Sequence, residues 1–171
     1  GGVTAADEVV SQLNSMQKIN HFPGMSQICQ KCQLSRVLNR MAHAFPGEFD
    51  FHPHTWALPG EYEALKTWWA SNGKPSAGSK GRAKTLIVKP DAGARGVGIF
   101  LTSDIAKVPR SHDEPVVAQL YVDRPFLINK YKFDLRCYVL VTSCRPRLRA
   151  FMHHEGLVRF WGFDVGGWAL R

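Results

Sequence analysis

Hydrophobic and polar positions repeat with two different periods along this chain, and the change between them divides it. From Ser26 to Ala44, the apolar residues Ile28, Leu34, Val37, Leu38 and Met41 are spaced as on one helix, with Lys31, Arg36 and Arg40 between them. Ser26 is suited to cap the start of that helix. Shorter helices are predicted over Asp7–Met16 and Glu61–Ser71, the second with Leu65, Trp68 and Trp69 on its buried side. Phe49–Leu58 is aromatic and proline-broken, which predicts a short extended stretch. Beyond Thr85 the alternation becomes that of strands: Thr85–Lys89, Val97–Leu101, Val116–Val122, Phe126–Ile128, Phe133–Thr142, Arg147–His153 and Leu157–Phe160, with a helical turn within Thr102–Val108. Helices followed by a run of strands predict an α+β architecture. Asn72–Arg82, rich in Gly, Ser and Lys, has the composition of a mobile loop.

Composition changes this picture little. The chain has 171 residues, 44% hydrophobic and 21% charged, an ordinary globular balance with five Trp and ten Phe for a core. No apolar run is long enough to span a bilayer as a helix. The first residues lack the basic and apolar regions of a secretory signal, and they lack an initiator Met, as expected for a piece of a longer protein. The net charge of +8 is informative: Arg124, Lys130, Lys132, Arg136, Arg145, Arg147 and Arg149 face only Asp134 in that stretch. Such a field draws anionic partners. No RNA-binding or zinc-finger pattern accompanies it, so neither nucleic acid nor membrane is the expected partner.

The four cysteines include Cys29 and Cys32 at C-x-x-C spacing, but Cys137 and Cys144 do not form a second close pair, so no zinc site is expected. His52, His54, His153 and His154 have no partners at ligand spacing. The strongest chemical signal is Thr85–Phe100, where an apolar strand meets Lys89 and Pro90 before a turn containing Gly93, Gly96 and Gly98. Glycine lets backbone amides come close to an anion, and a lysine at the strand end adds a point charge. The G-x-x-G-x-G order is neither the dinucleotide fingerprint nor the Walker loop. Two readings stay open for this segment alone: a phosphate cradle, or a glycine-rich hairpin with a surface lysine.

Further motifs stand in a fixed order with it: Ile19-Asn-His-Phe-Pro-Gly24, Lys89-Pro-Asp91, Gln119-Leu-Tyr-Val122, Lys132-Phe-Asp-Leu-Arg136, Val139-Leu-Val-Thr-Ser143 and Glu155-Gly-Leu-Val-Arg-Phe160. Together these resemble the tubulin-tyrosine-ligase-like family, closest to its polyglutamylase group, across about residues 17–160. The resemblance implies an incomplete ATP-grasp fold. Residues 1–25 would be a remnant of an N-terminal domain or linker, 26–121 the central lobe, 122–160 the start of the C-terminal lobe and 161–171 a divergent tail. It implies ligation of an amino acid, expected to be glutamate, to tubulin C-terminal tails through an acyl phosphate. ATP and Mg2+ would be the cofactors, with the main magnesium ligands in a family segment that this chain lacks. The alternative is a non-catalytic nucleotide- or microtubule-binding fragment. The expected setting is the cytoplasm and cytoskeleton, including the cilium, flagellum or basal body.

The resemblance also implies roles for individual residues. Lys31 and Lys89 would hold phosphates, under a lid formed by Gly93, Ala94, Arg95, Gly96, Val97 and Gly98. Gln119, Leu120, Tyr121 and Val122 would meet adenine. Lys132 and Asp134 would face the base and the ribose or magnesium side, while Arg136 and Arg159 would act at the γ-phosphate. Lys132, Asp134 and Arg136 alternate on one strand and share a face. Read without the family, that face could equally carry cross-strand ion pairs.

Overall fold

A computed structural model describes residues 5–17, 19–20, 22, 24–74, 83–93 and 96–160. The expectations for Ala94, Arg95, most of the 72–82 loop and the 161–171 tail lie outside these residues. The chain divides into two units, Gly1–Val122 and Asp123–Arg171.

The first unit is built on a four-stranded antiparallel sheet: β1 (Thr55–Leu58), β2 (Leu86–Pro90), β3 (Phe100–Thr102) and β4 (Val116–Leu120), ordered β1-β4-β2-β3. Its helices are α1 (Ala5–Ser11), α2 (Ser26–Cys29), α3 (Lys31–Ala44) and α4 (Tyr62–Asn72). Strand periodicity assigns the two sheet faces. Trp56, Leu58, Leu86, Val88, Val116 and Ala118 pack with Tyr62, Leu65 and Trp69 of α4 in the main core. The alternate residues Ala57 and Val117 pack with Cys32 of α3 on the other face. Every residue of β1 is therefore buried, as expected for a strand covered on both sides. Glu61 pins α4 to the end of β1: its N–H donates to Ala57 O at 3.0 Å, and its carboxylate accepts the Ala57 N–H at 2.6 Å.

Several boundaries differ from the sequence expectation. The helix expected over Ser26–Ala44 is broken at Gln30, which is extended (φ −86°, ψ 134°). The break separates Cys29 from Cys32 and makes Lys31 the first residue of a new helix. The buried residues of α3 are Cys32 and Ser35, not its larger apolar ones, because a small side chain lets the helix approach the sheet. Gly96 and Gly98 have φ of +80° and +73°, so Val97–Ile99 belong to the turn and β3 begins only at Phe100. Trp68 is partly rather than fully buried, its ring tilted against those of Trp56 and His54.

The second unit contains a long antiparallel hairpin, β5 (Phe133–Ser143) with β6 (Arg149–Phe160). The two strands expected over Arg147–His153 and Leu157–Phe160 are one, with register shifts absorbing the irregularity. Phe126–Ile128 forms no strand. Ile128 instead pairs with Tyr131 across a two-residue turn in which Asn129 and Lys130 have positive φ, the backbone of a tight hairpin turn.

Candidate functional site

Two lysines are placed by different means within the first unit. Lys89 lies on β2, on the sheet face shared with Gln119 and Thr55. Its Nζ donates to Gln119 Oε1 at 2.7 Å. Gln119 Nε2 donates to Thr55 Oγ1 at 2.7 Å, and that hydroxyl donates to Pro53 O at 2.8 Å. The lysine is thus the first member of a directed chain of hydrogen bonds across β2, β4 and β1.

Lys31 comes from the start of α3. Its Nζ donates to the carbonyls of Asp91 (3.0 Å) and Gly93 (3.3 Å). It therefore stands beside the glycine turn. A depression of about 180 Å³ is lined there by Lys31, Pro90, Ala92, Gly93, Gly96, Val97 and Ile99. That is smaller than the roughly 300–1,000 Å³ pockets that enclose whole ligands. The turn's geometry depends on glycine at Gly98, where φ is +73° and an added Cβ would stand 2.8 Å from Pro90 Cγ.

Asp91 was not among the residues expected at the site, yet it joins these parts. Its N–H donates to Pro115 O at 2.9 Å, and its Oδ1 accepts the Cys32 N–H at 2.8 Å. Burial first, and the neighbouring Asp91 carboxylate second, push the Cys32 thiol up to about 11. The signal in the sequence was the motif Lys89-Pro-Asp91, read there only for its lysine.

The strand expected to meet adenine is interior to its sheet. Leu120 N–H donates to His54 O and Tyr121 N–H to Thr85 O, each at 2.9 Å, while the Val122 side chain is exposed. Elsewhere in this unit a groove of about 650 Å³ between α3, Phe49–His54 and α4 is lined by histidines, aromatics and the carboxylates of Asp50 and Glu61. Among the described residues, no lysine or arginine lines it.

In the second unit, Asp134 and Arg159 face each other on β5 and β6. Arg159 Nε and Nη2 donate to the two carboxylate oxygens of Asp134, each at 2.6 Å. These hydrogen bonds, with the Arg159 and Arg136 charges, hold the Asp134 carboxyl below the usual aspartate value, while the same bonds and the Asp134 charge raise Arg159 above its own. The cross-strand pair left open by the alternation is therefore formed. Arg136 lies opposite Leu157 on the same ribbon. A Cβ on Gly156 would stand 2.7 Å from Arg136 O, so the glycine in this motif serves close backbone approach.

Magnesium is carried mainly by oxygen ligands in numbers. Among the described residues no group of three or more His, Cys, Asp and Glu side chains could hold a metal ion. The described residues do not supply a magnesium cage.

Residues 10–161 match the tubulin-tyrosine ligase family. The chain is 47% identical over 153 residues to the tubulin polyglutamylase TTLL6 of Homo sapiens, covering 90% of this chain and 16% of that protein. It is 44% identical over 154 residues to TTLL13 of Mus musculus (90% and 18%) and 44% identical over 152 residues to TTLL7 of Xenopus tropicalis (89% and 16%), both also tubulin polyglutamylases. The chain thus spans about a sixth of the length of these relatives. With a mixed helix-and-sheet structure, antiparallel sheets and a match over most of its length, this chain belongs to the tubulin-tyrosine ligase family.

Proposed function

We propose that this segment contributes the nucleotide-phosphate half of a ligase that uses ATP to add glutamate to the C-terminal tails of tubulin. The observation that carries the reading is the placement of Lys31 against the glycine turn next to the Lys89 strand, in a chain whose relatives are named tubulin polyglutamylases. The ATP-grasp lobes at 26–121 and 122–160 are part of the same proposal.

ATP would pass its γ-phosphoryl group to a carboxylate with release of ADP, and the incoming amine would attack the acyl carbon, lose a proton and expel inorganic phosphate to form the amide. Phosphoryl transfer asks the protein mostly for positioning and charge. Lys89, steered by Gln119, and Lys31, steered by the 91–93 carbonyls, present ammonium groups for phosphate oxygens. The turn at Gly96 and Gly98 brings backbone close to the same place. Arg136 offers a guanidinium fork, which suits phosphate or carboxylate oxygens, whereas two donors of the Arg159 fork are taken by Asp134. The basic stretch of the second unit fits attraction of an acidic tail, an effect that weakens with salt.

The test has two parts. MgATP binding to this chain is measured by calorimetry with and without Lys89→Ala. The matching segment of human TTLL6 is then replaced by this one, and labelled glutamate incorporation into tubulin is followed. Binding that requires Lys89, with incorporation retained, supports the reading. MgATP binding indifferent to Lys89→Ala refutes the site, and a folded chimera that adds no glutamate refutes the activity.

A further inference from the structure

Helix α3 opens in an unfavourable way. It carries no acidic residue in its first turn, its N-cap Gln30 provides no side-chain bond, and its first residue is a lysine. A helix N-terminus has unpaired N–H groups and a partial positive charge, so a cation placed there is disfavoured. Yet this is the lysine that reaches the glycine turn.

Asp91 offsets the problem from 59 positions away in sequence. Its carboxylate takes the Cys32 N–H, supplying the cap that Gln30 does not. Its own carbonyl takes the Lys31 ammonium. Its backbone N–H is tied to Pro115 O, next to β4. One residue thus holds the first turn of α3 by its side chain, the lysine by its main chain, and the sheet by its amide. Lys89 is two residues earlier, on β2.

We infer that Asp91 is a positioning residue for phosphate binding: it clasps the first turn of α3 to the exit of β2 and so fixes Lys31 relative to Lys89. This rests on the nucleotide reading given above. The clasp also has a consequence independent of any ligand. The Cys32 amide should be protected from hydrogen exchange only while residue 91 offers an acceptor.

The experiment compares the unmodified chain with Asp91→Ala and Asp91→Asn, measuring MgATP affinity by calorimetry, hydrogen exchange at the Cys32 amide and the melting temperature. Asn keeps an Oδ1 acceptor and loses the charge. Asp91→Ala is expected to weaken MgATP binding about fivefold or more, in keeping with the loss of a helix cap, and to expose the Cys32 amide. Asp91→Asn should keep the amide protected and stay within about twofold of the unmodified affinity, since the acceptor is retained. Unchanged affinity in Asp91→Ala with the Cys32 amide exposed overturns the inference. So does an Asn variant that binds as weakly as the Ala variant while its Cys32 amide stays protected, because the charge and not the clasp would then matter. An unmodified chain that fails to bind MgATP overturns the nucleotide reading itself, and the role assigned to Asp91 falls with it. If the Ala variant does not fold, the Asn variant decides the matter: affinity weakened about fivefold or more with the Cys32 amide still protected overturns the inference, and affinity within about twofold supports it.

Discussion

Lys89 and Gln119 are joined side chain to side chain, Nζ to Oε1 at 2.7 Å, diagonally across neighbouring strands. Gln119 is the middle member of a chain that runs on to Thr55, so its amide both accepts and donates.

Removing that middle member breaks both of its side-chain hydrogen bonds. Gln119→Ala is expected to lower stability by about 1–3 kcal/mol, the cost of losing two partly buried hydrogen bonds. Gln119→Glu keeps the acceptor for Lys89 but loses the donor to Thr55, and should cost less. Urea denaturation, with the slope checked for constancy, measures both variants.

The hairpin of the second unit depends on Gly156. Its missing Cβ would meet the Arg136 carbonyl at 2.7 Å, and a backbone oxygen within a ladder cannot swing aside as a side-chain tip could. Gly156→Ala should therefore destabilise β5–β6 by about 1–3 kcal/mol, as overpacking does. Faster hydrogen exchange in the amides around Arg136 is the expected readout, with those of the α4 core unchanged.

Asp134 supplies a pH dependence of definite sign. Its carboxyl is depressed by hydrogen bonds from Arg159, so the folded chain binds that proton less readily than the unfolded chain. The stabilising contribution is present above the ordinary aspartate range and is lost as pH falls through the lower, folded value. The pair is solvent-exposed, so the effect on overall stability is small. Its site-specific titration is the sensitive measurement: the Asp134 carboxyl carbon should titrate below ordinary aspartate, and Arg159→Ala should raise its midpoint.

The cysteines should separate by reactivity. Cys29, Cys137 and Cys144 are exposed, while Cys32 is buried with its thiol pushed up to about 11. Alkylation near neutral pH should modify the first three and spare Cys32 until denaturant is added, because the thiolate is the nucleophile. The folded thiol keeps its proton more firmly than the unfolded one. Its contribution to stability is therefore full below the ordinary thiol value and is lost as pH rises toward about 11. Mass spectrometry of the labelled chain resolves the order.

Hydrophobic spacing was sufficient to locate α4, β2 and β4, because Leu65, Trp69, Leu86, Val88, Val116 and Ala118 alternate in the period of the element that buries them. It misjudged α3. Helical periodicity runs through Gln30 without a mark, whereas the break there is coupled to the distant Asp91, whose carboxylate takes the Cys32 amide. Likewise Val97–Ile99 has strand-like composition, and only the positive φ angles at Gly96 and Gly98 turn it into part of the loop.

The candidate chemistry divides along the same line. By itself the sequence determined which residue types are present and in what order: a lysine before a glycine turn, alternating charges on a later strand, and a basic field. These follow from local pattern. Only tertiary structure decided that Lys31 reaches the 91–93 carbonyls, that Gln119 receives Lys89, and that Arg159 closes on Asp134. Each of these hydrogen bonds joins residues far apart in the chain, and a short-range directional contact of that kind exists only once the backbone has brought donor and acceptor within about 3 Å.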